Sequence, residues 1–130
     1  MKKILSFIAT GIFLFAAASI TSAQDWKKTD PKMNHILADT TFLRATEAII
    51  EPGEKSKQHT HPAAFFYALT DCKLRVHYSD GKTEDLDLKA GDSGCSGPER
   101  PHMTENTGNK QARFLLVELK EHPYKGTSKK

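Results

Sequence analysis

Turn signals recur along this chain at close intervals: Pro52-Gly53, Asp80-Gly81, Ala90-Gly91-Asp92 and Thr107-Gly108-Asn109. Each pair or triplet accepts tight or left-handed backbone geometry. The short runs they separate are of β type: Phe42 to Glu51, Lys55 to His61, Ala64 to Thr70, Lys73 to Ser79, Thr83 to Leu88, His102 to Asn106 and Ala112 to Leu119. No segment of helical length carries a 3.6-residue apolar period. Many short strands with frequent turns point to an all-β sandwich or barrel.

The clearest local unit is the segment Lys73 to Leu88, where Asp80-Gly81 fits a two-residue hairpin turn. Leu74, Val76 and Tyr78 alternate with Arg75, His77 and Ser79, so one face is buried and His77 falls with the exposed set. Phe114-Leu115-Leu116-Val117 is apolar without alternation, as expected of a strand covered on both faces.

The ends of the chain read differently. Lys2 and Lys3, an apolar stretch from Ile4 to Ala18, and the small residues Thr21-Ser22-Ala23 form the pattern of a secretory signal peptide, with cleavage expected after Ala23. The stretch falls short of the roughly 20 apolar residues of a spanning helix, and Ser6 and Thr10 interrupt it. The short core behind two lysines has a bacterial look, which makes the destination periplasmic or secreted, with no stable membrane insertion once the segment is removed. Losing Lys2 and Lys3 lowers the formal charge of +3 to about +1. With no dense basic patch and no interleaved aromatics, nucleic acid is excluded as the expected partner. Residues 24–36 are charged and include Pro31, and are expected to form an exposed arm. One barrel domain would then span residues 37–120, followed by a tail over 121–130.

Cys72 and Cys95 are the only cysteines, and an oxidising compartment permits them to pair. A bridge would close a loop of about 24 residues and contribute roughly 3 kcal/mol. The alternative is two separate, partly buried thiols.

Function is carried by histidines. On a strand, side chains at i and i+2 share a face, so His59 and His61 project together while Gln58 and Thr60 point away. A third donor from another strand would make a facial set with open positions, suited to zinc, copper, iron or nickel. His102 is the natural third donor, just after a turn rich in glycine and proline.

The segments GEKSKQHTHP, from Gly53 to Pro62, and GDSGCSGPERPHMTEN, from Gly91 to Asn106, resemble the two motifs of the cupin superfamily. The first motif runs G, five residues, HxH, three or four residues, E, six residues, G; Gly53, His59 and His61 match it. The second runs G, five residues, PxG, two residues, H, three residues, N; Gly91, His102 and Asn106 match it at the overall spacing. The departures are Phe65, with Phe66 beside it, in place of the metal-binding glutamate, Cys72 in place of the closing glycine, and a rewritten turn from Gly97 to Pro101. The resemblance covers roughly Phe42 to Leu119 and is strongest to short single-domain exported cupins. It implies a jelly-roll β-barrel, or double-stranded β-helix, with a divalent transition metal (Fe, Zn, Ni, Mn or Cu) on His59, His61 and His102.

Four residues are weighed as replacements for the missing carboxylate. Glu99 lies in the loop before His102, Glu105 and Gln58 should point away by alternation, and Tyr67 is a poor neutral donor. A set of three neutral histidines is the simplest reading, and it leaves a bound metal electrophilic. Phe65, Phe66, Tyr67 and Phe114 are candidates for an apolar pocket wall, or equally for plain core packing. The function expected is a small binding or sensing module for a metal and a small-molecule ligand. The competing reading is a three-histidine non-haem iron dioxygenase, with a metal-assisted isomerase or lyase and a structural role behind it. A homodimer is expected to use the apolar strand Phe114 to Leu119.

Overall fold

The computed structural model describes residues 24–126, and the expected signal segment lies outside them. These residues form one short helix, α1 (Trp26–Thr29), and the strands β1 (Asn34–Asp39), β2 (Leu43–Ile50), β3 (His59–His61), β4 (Ala64–Ala68), β5 (Cys72–Tyr78), β6 (Thr83–Leu88), β7 (Ser93–Ser96), β8 (Glu99–Asn106) and β9 (Ala112–Leu119). Two antiparallel sheets result, one ordered β1-β2-β9-β4-β7 and the other β3-β8-β5-β6. This is the expected jelly-roll barrel. Its core lies between the sheets, where Ile50, Leu74, Phe114 and Leu116 meet.

The β5–β6 hairpin forms as expected, with Arg75 opposite Asp85 and bonded to it through two nitrogens at 2.6 and 3.0 Å. Its turn is longer than expected. Ser79, Asp80 and Gly81 lie between Tyr78 and Lys82, which bond through Tyr78 N and Lys82 O, and Gly81 takes φ 84°. A left-handed residue at the end of such a loop is the setting where glycine is favoured. His77 stays away from the barrel interior and pairs with Glu105 at 2.6 Å.

Several expectations are corrected. The segment 24–36 is not an exposed arm: Asp25 caps α1 by accepting from Lys27 N, and Trp26 and Met33 are buried in the core. The barrel therefore starts ahead of Leu37, which is itself 54% exposed. The tail also returns to the barrel, since Ala63 N donates to His122 O at 2.9 Å. Cys72 and Cys95 do not pair. Cys72 is buried on β5 and Cys95 is exposed on β7, in different sheets, and both thiols are free.

β9 is covered unequally on its two faces. Phe114, Leu116 and Glu118 are buried inward, while Leu115 and Val117 are half-buried on the outside. Pairing with β4 places Phe65 beside Val117 and Tyr67 beside Leu115. Phe65 and Tyr67 are accordingly exposed on the outer face, and it is Phe66 that turns inward. A shift of one residue along a strand exchanges the faces of every side chain.

Candidate metal centre

β3 carries His59 and His61, β8 carries His102, and His59 sits directly opposite His102 in the ladder. All three imidazoles are buried. Each has its Nδ1 beside an acceptor on the outer side. His59 Nδ1 donates to Lys57 O at 2.7 Å, His102 Nδ1 to Arg100 O at 2.7 Å, and His61 Nδ1 to the Glu118 carboxylate at 2.8 Å. Carbonyl and carboxylate oxygens only accept, so Nδ1 holds the hydrogen and the lone pair of each neutral ring is left on Nε2.

The Nε2 lone pairs therefore converge. His59 Nε2 and His61 Nε2 are 3.1 Å apart with no hydrogen to share, and the ligating atoms of all three residues lie within 4.8 Å of one another. Nitrogens bound at about 2.1 Å to one ion sit roughly 3 Å apart when their bonds subtend a right or tetrahedral angle. The donor set thus fits a divalent transition metal. Burial, reinforced by the neighbouring His61 and His102, pushes the His59 pKa down to about 2. Burial likewise lowers that of His102. Both rings stay neutral, the form in which imidazole binds metal.

Two residues that sequence reasoning missed hold the cluster. Trp26 stacks on His59, with centroids 4.9 Å apart and planes 10° from parallel. Glu118 is buried on β9 and also accepts from Arg44 at 3.4 Å, while Arg44 makes a two-pronged pair with Asp25 at 2.8 and 3.1 Å. The N-terminal segment is therefore built into the support of the site. Parity on β9 was the available signal for Glu118, because it follows Phe114 and Leu116 on the inward face.

Beside the cluster lies a cavity of about 690 Å³, walled by Phe66, Leu74, Val76, Leu86, Phe114 and Leu116 and bordered by His61 and His102. Of the expected pocket residues, Phe114 lines it. Phe65 and Tyr67 do not, for the reason of parity given above. Phe66 packs over Gly94 of β7, where an added Cβ would come within 2.9 Å of the ring. Glu99 Oε2 is 3.4 Å from His102 Nε2. Asn106 is a structural residue. Its amide nitrogen donates to Ile50 O and Lys110 O, both at 2.8 Å, and its oxygen accepts from Gly108 N at 2.9 Å.

Two antiparallel sheets closed around a histidine cluster define the class of double-stranded β-helix proteins. A family model described as Cupin domain matches residues 46–118, and the chain belongs to the cupin family. Among solved structures, a cupin domain from Bordetella pertussis superposes with a TM-score of 0.61 at 20% identity, covering 66% of this chain and 90% of that one. An uncharacterized conserved protein with a double-stranded β-helix domain from Klebsiella pneumoniae gives 0.55 at 22% identity, over 66% and 74% of the two chains. A cupin superfamily protein from Desulfitobacterium hafniense gives 0.52 at 14%, again over 66% and 74%. No curated protein matches the chain. At these identities the likeness supports the fold alone.

Proposed function

We propose that this protein is an exported small cupin that binds one divalent transition metal through His59, His61 and His102 and takes a small organic ligand in the adjoining cavity. The observation that carries the reading is the set of three Nδ1 hydrogens, each engaged by an oxygen, which turns three Nε2 lone pairs toward one point. Outer hydrogen bonds of this kind fix the tautomer and orientation of metal-binding imidazoles. The apolar lining of the cavity favours a ligand with an apolar body. Export rests on the signal pattern ending at Ala23, and Gln24, the next residue, already accepts from Thr60 N at 3.0 Å. The outward row Phe65, Tyr67, Leu115 and Val117 supports the expected homodimer, to be checked by light scattering.

The experiment is metal analysis of the purified mature chain after loading with zinc, iron, nickel, manganese or copper, repeated with His59→Ala, His61→Ala and His102→Ala. One metal per native chain and loss in each variant is the expected result. A native chain that retains no stoichiometric metal overturns the reading.

A second reading, a three-histidine iron dioxygenase, is favoured by one observation: His61 and His102 border the cavity, so a ligand held there lies beside the donor atoms. Iron bound there would supply oxygen activation, while Phe66, Phe114 and Leu116 would exclude water from the bound substrate. Oxygen uptake by the iron-loaded chain over small organic acids, thiols and diketones separates the two readings.

A further inference from the structure

We infer that Glu99 is a fourth metal ligand, supplying the carboxylate that the inward position on β4, occupied by Phe66, does not. The inference rests on the reading of His59, His61 and His102 as ligands and concerns the charge and composition of the completed set.

The geometry comes from β8. Glu99 begins that strand, opposite His61 in the ladder, and its Oε2 stands 3.4 Å from His102 Nε2. Since the hydrogen of His102 is on Nδ1 and engaged by Arg100 O, the two atoms facing each other are both acceptors. Two acceptors at this distance have no mutual attraction unless a cation or a proton lies between them. The same condition holds for the Nε2 atoms of His59 and His61 at 3.1 Å. One cation satisfies both contacts.

The other nearby carboxylates are committed elsewhere. Glu118 serves the far side of His61, Glu84 accepts from the Tyr78 hydroxyl at 3.0 Å, and Glu105 is bonded to His77. Among the described residues no hydrogen bond is made to the Glu99 carboxylate. Its side chain is 36% exposed and borders the cavity, so it has room to swing toward the histidines. Three neutral imidazoles leave the full charge of a dication uncompensated in a buried site, and one carboxylate halves it. A mixed nitrogen and oxygen set suits zinc, iron, manganese or nickel rather than copper(I). With the carboxylate entering from β8, the cavity wall at Phe66 stays apolar.

The test uses the mature chain stripped with a chelator and titrated with cobalt(II) against a chromogenic chelator at neutral pH, for the native protein, Glu99→Gln, Glu99→Asp and His102→Ala. If Glu99 is a ligand, Glu99→Gln weakens cobalt binding by about tenfold or more, at least what an outer partner of a metal ligand costs. Glu99→Asp, which keeps the charge on a shorter stem and guards against a folding defect in the amide variant, falls between the two. Glu99→Gln binding as tightly as the native chain, while His102→Ala loses cobalt, would show that the Glu99 carboxylate is not a ligand. That result overturns the inference and leaves the three-histidine reading standing. If His102→Ala also binds unchanged, the three-histidine reading fails first.

Discussion

The indole of Trp26 lies flat against the imidazole of His59, 4.9 Å away and 10° from parallel, and it also meets the rings of His61, edge to face at 5.4 Å, and Phe114 at 6.3 Å. One side chain thus joins the histidine cluster to the apolar core. A ring in this place fixes the plane of His59 and excludes water from its back. Trp26→Ala is expected to destabilise the metal-free protein by about 3–5 kcal/mol, the usual cost of emptying a large aromatic site, and to weaken metal binding as well. Trp26→Phe, which keeps a stacking face, should recover much of both. Urea unfolding in chelator and cobalt titration measure the two effects separately.

Glu118 predicts a different split. Its carboxylate holds the Nδ1 hydrogen of His61, while Arg44 has a second partner in Asp25. Glu118→Gln preserves the shape and an acceptor oxygen but removes the charge that raises the basicity of the ring. Metal affinity should fall by about 10–100-fold, with a smaller loss of folding stability than Trp26→Ala gives. A variant that loses stability but binds metal at native affinity would assign Glu118 to the fold alone.

The histidines were legible in the sequence because two-residue periodicity on β3 is a local rule, and because Gly53 and Gly91 ahead of them take the left-handed turn geometry that glycine favours. Phe65 and Phe66 were not separable by the same means. Either spacing from His61 satisfies the motif, and only pairing of β4 with β9 and β7, which sets Phe66 beside Leu116 and Gly94, decides which ring enters the barrel. β7 itself has the sequence Ser-Gly-Cys-Ser, without β-branched or aromatic residues, and exists as a strand through its ladder to β4. Trp26 was hidden by its neighbours: Lys27 and Lys28 beside it are exposed, and burial of one indole in so polar a segment is a tertiary event. The free thiols follow from topology too, since spacing in sequence does not report which sheet a cysteine joins.

Asn106 offers a test of a motif residue that touches no ligand. It closes the loop after β8 through three hydrogen bonds, a buried one to Ile50 and two part-buried ones to Lys110 and Gly108. Asn106→Ala leaves those backbone groups unpaired, and at about 1 kcal/mol for each bond the loss is about 3 kcal/mol. The metal site should bind with nearly native affinity once the variant is folded. A large fall in affinity at full folding would give Asn106 a part in positioning His102, which lies on the same strand.

Asp39 governs the acid side of the stability profile. Its carboxylate gathers Lys120, Lys27 at 3.0 Å and Arg44 at 3.5 Å, tying the N-terminal segment to β2 and to the end of β9. The hydrogen bond from Lys120, then that from Lys27, holds its pKa well below the usual carboxylate range. Because the folded value is depressed, the unfolded chain takes up the proton first as pH falls. The contribution is complete above the unfolded value of about 3.9 and is lost as the pH drops through that value and then through the lower folded one. Asp39→Asn should therefore lower the urea midpoint at neutral pH and lose that deficit at strongly acidic pH. Being solvent-exposed, the cluster is also screened by salt, so the neutral-pH difference should narrow as ionic strength rises. A deficit that persists unchanged at acidic pH would assign the effect of the substitution to side-chain packing instead of charge.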